Sequence, residues 1–234
     1  MLKEENTYSK QLFKAILVIL FYLTAYSYPD KFALILGINL DKLSIIPKIV
    51  FLITYETSIL LIVIYSYKDE LIPSFKNFIK NIKEYFNKYF KYWILMLVLM
   101  VLSNYIISFF TVKEVATNQE IIVDTLKKAP IYTIISTILI APLLEELIFR
   151  FSIKKIIPNL SIIYILVSGL AFGSMHVLLT MTNISDLLFI IPYSIPGIIF
   201  AYLYNKTNNI FIPAGIHFMH NAILISLQII LSLV

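Results

Sequence analysis

The chain contains no cysteine, and this absence removes several kinds of chemistry. Without a thiol there is no cysteine nucleophile, no cysteine-ligated zinc and no disulfide bond. The sequence also lacks the Gly-x-Ser-x-Gly turn of serine hydrolases and a pair of aspartates within its apolar segments. Any catalysis by this protein therefore depends on other side chains.

Charged residues are also scarce. They make up 14% of the 234 residues, against about a quarter in soluble domains, whereas 59% of the residues are hydrophobic. Several apolar runs approach or exceed the roughly 18 residues that are typical of a membrane-spanning helix. The composition predicts an all-α, polytopic transmembrane helical bundle, which forms a single membrane domain over residues 1–234 and includes no soluble domain.

Seven membrane helices are predicted from these apolar runs. They cover residues 11–28, 47–67, 92–112, 129–151, 160–180, 187–204 and 210–232. Residues 31–46 are apolar as well, but this run is short and interrupted. It is interpreted as a re-entrant or interfacial piece, or as part of an eighth span.

Residues 73–93 form a basic and aromatic stretch between the second and third predicted spans. The aromatic residues and isoleucines recur at helical spacing, and the lysines lie largely on the opposite face. This pattern predicts an amphipathic helix in the headgroup region of the bilayer. An aromatic face suits lipid, so the expected partner of this stretch is the bilayer and not a nucleic acid.

The orientation of the chain is predicted from its basic residues, which collect on the cytoplasmic side of membrane proteins. Most of the 19 basic residues lie inside if the N-terminus is cytoplasmic and the C-terminus is outside. The first apolar run lacks a small-residue cleavage site and is predicted to be retained. Frequent Ile, Lys, Asn, Tyr and Phe suggest an AT-rich microbial genome, so the expected location is a bacterial plasma membrane.

Ionisable residues inside membrane spans are costly and are therefore candidates for function. The paired Glu145 and Glu146 lie in one predicted span, and all three histidines of the chain, His176, His217 and His220, lie in others. A lone histidine in a span often only bonds a neighbouring helix. Here all three histidines lie in the same half of the chain as the glutamate pair, and this grouping favours a functional site.

Arg150 is the only arginine among the 19 basic residues. A planar guanidinium can hold a carboxylate with two hydrogen bonds, which an ammonium cannot do. Glu146 lies four residues before it, so Glu146 and Arg150 are expected to form a structural ion pair. Glu145 points about 100° away around the helix and is a candidate general base. The alternative is that Arg150 holds both acids.

The last predicted span places His217 and Asn221 four residues apart, on one face. The amide of Asn221 cannot take a proton, but it can donate a hydrogen bond to a developing oxyanion. Phe172 lies four residues before His176 and is expected to pack beside the site. His220 lies on a neighbouring face, either behind the site or as a contact between helices.

Two features do not fit this interpretation directly. Counting along the predicted spans places His176 about 12 Å nearer the outer surface than Glu145 and His217, so the site requires strong tilt or an earlier start of the fifth span. Glu56 is a further charge, midway along the second span. A proton, a neighbouring hydroxyl group or a polar cavity would each account for it.

Three motifs in the C-terminal half carry a resemblance to a known family. Glu145–Arg150 matches an E-E-x-x-x-R motif, Phe172–His176 an F-x-x-x-H motif and His217–Asn221 an H-x-x-x-N motif. In this order they resemble the CPBP family, which comprises CAAX prenyl proteases and bacteriocin-processing enzymes and is also called Abi. The predicted protease core is residues 113–232, and the N-terminal half is similar only in its helical membrane segments.

The resemblance implies a polar cavity within the membrane and hydrolysis of peptide bonds. In this family pattern Glu145 activates water, His176 helps to position it, and His217 and Asn221 stabilise the oxyanion. The family has also been described as metalloproteases. No H-E-x-x-H motif is present, but Glu145, His176 and His217 together are a ligand set that zinc accepts. No cofactor is required by the residues themselves, and zinc is left open.

The predicted function is an intramembrane endopeptidase that acts on membrane-tethered peptides or proteins, such as bacteriocin or signalling-peptide leaders. The alternative is a bacteriocin-immunity or peptide-transport membrane protein that binds a peptide without cutting it. The lack of an internal repeat disfavours a transporter, although Pro192, Pro196 and Gly197 interrupt the sixth span. A helical scaffold without a site is disfavoured by the lone arginine and the clustered histidines.

Overall fold

The computed structural model describes residues 2–111 and 115–232, with side chains described over 8–111 and 115–231. Residues 1, 112–114, 233 and 234 lie outside the described residues. They include the end of the predicted third span, the start of the predicted core and both ends of the predicted membrane domain. The helices are α1 (Leu2–Ala25), α2 (Pro29–Ile35), α3 (Ile45–Lys80), α4 (Ile82–Ile107), α5 (Thr117–Lys128), α6 (Pro130–Ile156), α7 (Ser161–Leu178), α8 (Ile190–Thr207) and α9 (Phe211–Ser232).

The predicted helical membrane bundle is confirmed. Within the described ranges, seven helical stretches are long and apolar enough to cross a membrane: α1, α3, α4, α6, α7, α9, and α8 together with the 3₁₀ turn Ile184–Phe189 that precedes it. Residues 31–46 do not form an eighth span. The short helix α2 ends there, Gly37 adopts a positive φ of 75°, and a single 3₁₀ turn follows at Leu40–Lys42.

The predicted amphipathic helix over residues 73–93 is wrong, because α3 continues without a break through Pro73 to Lys80 and α4 begins at Ile82. Helix α3 has 36 residues and is about 54 Å long, well beyond the roughly 30 Å of the hydrocarbon core. The polar residues after the apolar run are good helix formers, so they extend the helix. The aromatic side chains also have protein partners, since the Phe75 ring packs against that of Phe211, 5.1 Å away.

Helix α6 and the span that contains α8 form the centre of the bundle. In each of them 56% of the most apolar 18-residue stretch is buried, against 11–33% in the other five spans. A helix at the outside of a bundle exposes much of its apolar surface to lipid. The two central helices are therefore the ones whose side chains meet protein on most sides.

Helices α7 and α8 touch along a face of small residues. A Cβ added to Gly197 would lie 2.7 Å from the carbonyl oxygen of Gly169, and one added to Gly173 would collide with the side chain of Ser194. Three of the five glycines in the chain lie in this one interface. Close packing of backbones through small residues is a common way to join helices in lipid, and here it fixes α7 against α8.

Helix α6 departs from α-helical geometry on both sides of Glu145. Residues Ile134–Ile140 and Glu146–Ser152 are π-helical, and the short stretch Ala141–Glu145 between them is α-helical. π-helical segments are rare and occur often at functional sites.

The first π segment lacks one backbone hydrogen-bond donor, and a side chain from α9 supplies a donor in its place. The N–H of Ala141 donates to the carbonyl of Ser136, five residues earlier. The next donor in this series would be residue 142, which is a proline and has no N–H. The carbonyl of Thr137 accepts instead from Nδ2 of Asn221, at 2.9 Å. The side chain of Asn221 thus completes the hydrogen bonding of α6.

Two serine hydroxyl groups donate to backbone carbonyls of the second π segment. Ser152 Oγ donates to the carbonyl of Leu147 at 2.8 Å, and Ser168 Oγ on α7 donates to the carbonyl of Phe149 at 2.6 Å. The Tyr67 hydroxyl lies 2.8 Å from the Ser152 hydroxyl and links α3 to this part of α6. These bonds satisfy hydroxyl groups that lie within the bundle and tie this part of α6 to its neighbours.

Candidate active site

Three of the predicted catalytic side chains meet in the structure. Glu145 on α6 lies with one carboxylate oxygen 3.9 Å from Nε2 of His176 on α7 and the other 3.7 Å from Nε2 of His217 on α9. Glu145 and His217 are buried, with exposed fractions of 8% and 4%, and His176 is half-buried. Residues far apart in the chain are therefore brought to one point by three helices.

The expected 12 Å offset of His176 along the membrane normal is largely removed by the true end of α6. The helix continues to Ile156, five residues beyond the predicted end at residue 151. Five residues add about 7.5 Å to the distance between Glu145 and that end of the bundle. Helix α7 starts at Ser161, close to its predicted start. An offset of a few ångströms is then bridged by the lengths of the side chains.

Both histidine rings are held by their Nδ1 atoms. Nδ1 of His176 lies 2.9 Å from the carbonyl oxygen of Phe172, and Nδ1 of His217 lies 3.0 Å from a carboxylate oxygen of Glu146. A carbonyl oxygen and an ionised carboxylate can only accept, so in both rings Nδ1 carries the hydrogen. In a neutral ring the unprotonated nitrogen is then Nε2, and both Nε2 atoms face Glu145.

Glu146 contacts both Arg150 and His217. Its other carboxylate oxygen lies 3.2 Å from Nε of Arg150, and both side chains of this pair are fully buried. The expected two-bonded grip is absent, because Nη1 and Nη2 of Arg150 have no hydrogen-bond partner among the described residues. The guanidinium lies instead over the rings of Phe172 and Phe200, 4.3 and 5.4 Å from their centroids. Ring stacking, as well as charge, therefore makes arginine suitable here.

Two aromatic rings pack against His176. The centroid of the Phe172 ring lies 4.3 Å from that of the imidazole, and the Tyr193 ring stacks on the imidazole at 5.0 Å and 20°. The hydroxyl of Tyr193 accepts from Nδ2 of Asn118, at 3.3 Å. Sequence reasoning missed Tyr193. A signal was available, because Tyr193 lies one turn before Gly197 and so shares the face of α8 that touches α7.

The structure places the other predicted residues around this centre. Asn221 is half-buried one turn beyond His217, and its amide donates to Thr137 as described. His220 is buried, and its Nδ1 has no partner among the described residues. Glu56 accepts a hydrogen bond of 2.6 Å from the hydroxyl of Tyr132, which is the neighbouring hydroxyl that the sequence left open.

The chemistry of the three convergent donors resembles that of a zinc site. Two imidazole nitrogens and a carboxylate are ligands that zinc accepts, and histidine ligands usually donate through their other nitrogen as these two do. In the part of the chain that the structure describes, however, no three His, Cys, Asp or Glu side chains are grouped so that they could hold a metal ion. As placed, the three donors do not form a metal centre.

Comparison with known proteins bears on the same stretch of chain. Residues 127–223 match the family model described as "Type II CAAX prenyl endopeptidase Rce1-like". This segment includes all three motifs and every residue of the convergent centre. The CPBP resemblance is thereby confirmed. The match begins near the start of α6 and ends within α9, so this part of the bundle is the CPBP-like part.

One relative among curated proteins is informative about the family. The protein of Bacillus subtilis (strain 168) that is named "Putative membrane peptidase YdiL" is 30% identical over 122 residues. The aligned stretch covers 51% of this chain and 46% of that protein, so the chain spans about half the length of the relative that it matches. No solved structure matches the chain.

Proposed function

We propose that this protein is an intramembrane endopeptidase that hydrolyses peptide bonds of membrane-tethered peptides or proteins. The observation that carries the proposal is the placement of the Glu145 carboxylate 3.7–3.9 Å from two histidine nitrogens that carry lone pairs. Acceptors at these distances do not bond one another directly, but a single water molecule that lies beside them can donate to both. A water held by a carboxylate and an imidazole is a nucleophile that is ready to lose a proton.

Glu145 is the general base in this proposal. It takes a proton from the water as the water oxygen forms a bond to the carbonyl carbon of the scissile peptide. Nε2 of His176 accepts the second O–H of the water and orients it. When the C–N bond breaks, the proton held by Glu145 passes to the leaving amine. Hydrolysis is then complete, with one water consumed and no other reactant.

The oxyanion that forms in this step needs hydrogen-bond donors. The family pattern assigns this role to His217 and Asn221. One N–H of the Asn221 amide donates to Thr137, which leaves the second for an oxyanion. His217 uses Nδ1 to donate to Glu146, so it donates to an oxyanion through Nε2 only when it carries a second proton. Glu145 shares with it the proton taken from the water, and this same proton goes to the leaving amine when the oxyanion collapses and the C–N bond breaks.

The remaining assignments are part of the same proposal. The protease core is residues 113–232, within a single membrane domain of 1–234. Bacteriocin or signalling-peptide leaders are the proposed substrate class. We place the protein in a bacterial plasma membrane, with the N-terminus in the cytoplasm.

The test is cleavage of a library of membrane-anchored peptides by the purified full chain in lipid, with products identified by mass spectrometry. Glu145→Gln should lower the initial rate about 10² to 10⁴-fold, because an amide keeps the shape of the side chain but cannot take a proton. The matched control is Glu70→Gln, since Glu70 is exposed and its one ion pair among the described residues is with Lys155 at 2.6 Å. Equal rates for Glu145→Gln and the parent would refute the proposed base. Binding of the peptides without cleavage by the parent would favour the immunity or transport alternative.

A further inference from the structure

Glu56 is a buried carboxylate that the proposed reaction does not use. It lies on α3 and is the only charged residue between Lys48 and Lys68. Its exposed fraction is 7%. An acid at this depth in a membrane span is costly unless it is neutral or paired, and such residues commonly mark substrate or ion sites.

The hydrogen bonds of Glu56 are incomplete. Tyr132 donates to one carboxylate oxygen at 2.6 Å, and the hydroxyl of Ser136 is its other polar neighbour. The second carboxylate oxygen, Oε2, is buried and has no partner with hydrogen-bond geometry among the described residues. In the same part of the chain no lysine, arginine or histidine forms an ion pair with it. Glu56 therefore has a carboxylate oxygen that no donor among the described residues uses.

Glu56 and Glu145 border the same pair of tyrosines. Tyr22 lies on α1 and Tyr26 directly follows this helix. Their rings are stacked, with centroids 5.0 Å apart. Both carboxylates lie within electrostatic reach of both phenol groups. Tyr22 also meets the ring of Phe149, which is one turn beyond Glu145 on α6. The tyrosine pair thus connects the environment of Glu56 to that of the proposed catalytic centre.

The separation of the two acids corresponds to a short length of peptide. Ser136, beside Glu56, lies nine residues before Glu145 on α6, which is about 13 Å at the rise of a helix. An extended peptide advances about 3.3 Å per residue, so the same distance is covered by about four residues.

We propose that Glu56 is a cation subsite of this protein, which binds the ammonium or guanidinium group of a substrate lysine or arginine about four residues from the scissile bond. This inference rests on the proposed function. Tyr132 donates to the carboxylate and holds it in place. The free oxygen of Glu56 accepts the hydrogen bond that the substrate cation supplies.

The experiment measures binding in the Glu145→Gln background, so that no peptide is cut. Membrane-anchored peptides are compared in pairs that differ only by lysine or norleucine at one position, which is moved along the peptide. At the best position we expect the lysine peptide to bind at least about tenfold more tightly. Adding Glu56→Gln should abolish this preference while the norleucine peptide binds as before. Cleavage of the same pairs by the parent should cut about four residues from the lysine.

A matched control separates charge recognition from folding. Glu70→Gln removes an exposed carboxylate and should leave the lysine preference intact. A melting temperature for each variant identifies loss of fold, and Tyr132→Phe should keep the charge of Glu56 but weaken the preference. No lysine preference at any position, or an equal loss of both peptides in Glu56→Gln, would overturn the inference and show that Glu56 is a hydrogen-bond contact between helices. Lysine preference without any cleavage would refute the peptidase function alone.

Discussion

Nδ1 of His217 lies 3.0 Å from a carboxylate oxygen of Glu146, although the two residues are 71 positions apart. The contact joins the ion pair of Glu146 and Arg150 to the proposed catalytic centre. Glu146 therefore does more than neutralise Arg150, because it also determines which nitrogen of His217 faces Glu145. The first prediction concerns this second role.

Substitution of Glu146 should separate its two functions. Glu146→Gln keeps an oxygen that accepts from His217, whereas Glu146→Ala leaves the ring free to turn. Both variants strand the charge of Arg150 in the interior and should cost about 3–5 kcal/mol of stability. Among molecules that remain folded, the alanine variant should have the lower kcat. Initial rates and melting temperatures of the two variants test this. A dead but stable Glu146→Gln beside an active Glu145→Gln would show that the two acids have exchanged roles.

Replacement of the lone arginine by lysine should be strongly destabilising. An ammonium cannot stack on the rings of Phe172 and Phe200 as the guanidinium of Arg150 does. We expect Arg150→Lys to lose about 2 kcal/mol or more, seen as a lower melting temperature and a lower yield in membranes. Lys128→Arg, at an exposed ion pair with Asp124, is the reverse substitution and should change neither quantity. Equal melting temperatures for Arg150→Lys and the parent would contradict the stacking argument.

The bond between Asn221 and the carbonyl of Thr137 makes a prediction of its own. Asn221→Ala should cost about 1–3 kcal/mol, because a half-buried carbonyl within a membrane span loses its donor. Pro142→Ala restores an N–H to the backbone beside this carbonyl and should recover part of the lost stability in the double variant. Melting temperatures of both single variants and the double variant measure the recovery. If the two losses of melting temperature simply add in the double variant, the proline is not the reason that the carbonyl of Thr137 lacks a backbone donor.

Recovery of activity in the same double variant distinguishes the two roles of Asn221. If its amide also donates to the oxyanion, the rate should stay about 10² to 10³-fold below the parent after stability has returned. A rate that returns together with the melting temperature would assign Asn221 to the support of α6 alone. The proposed function would survive that result with one donor fewer.

The orientation of the chain can be tested by cysteine labelling, since the parent has no cysteine. Lys83 and Lys206 are exposed and are predicted to be cytoplasmic, whereas Asn118 is predicted to face outward. Single cysteines at these positions should react with an impermeant reagent in intact cells only at position 118. Glu120, exposed on the same helix as Asn118, serves as a second outward position. Reaction at position 83 before lysis would reverse the topology.

Removal of metal ions should leave the rate unchanged, because the proposed reaction uses a carboxylate, two imidazoles and an amide. The measurement compares initial rates and bound zinc before and after dialysis against a strong chelator. The parent protein is its own control when zinc is added back. Zinc at one equivalent per chain that is lost and regained together with activity would assign Glu145, His176 and His217 as ligands.

Much of this architecture is predictable from the sequence. The seven spans follow from apolar runs, because lipid leaves a crossing chain little choice but helix. The approach of Glu145 to His176 and His217 was predicted from their family motifs. The continuation of α3 past Pro73 was not, because the polarity of residues 68–70 suggested a loop where helix propensity prevailed.

Contacts between distant helices were not predictable in the same way. The bond from Glu146 to His217 and the bond from Tyr132 to Glu56 depend on how three helices pack, and no local pattern encodes them. The stacking of Tyr193 on His176 depends on the close contact of α7 and α8. The first π segment is accompanied by Pro142 and by a donor from another helix, and a periodicity of 3.6 residues does not reveal this arrangement.

The π segment Ile134–Ile140 lies on α6 between Tyr132, which donates to Glu56, and Glu145. A π segment accommodates one residue more than the regular helix, so deletion of one residue there would restore α-helical bonding. The parts of α6 on either side of such a deletion would keep nearly their present orientation, because the π segment accommodates the extra residue. A deletion in the α-helical stretch Ala141–Glu145 would instead turn the two parts by about 100° relative to each other, and it is therefore the evolutionary change that would uncouple the two carboxylates.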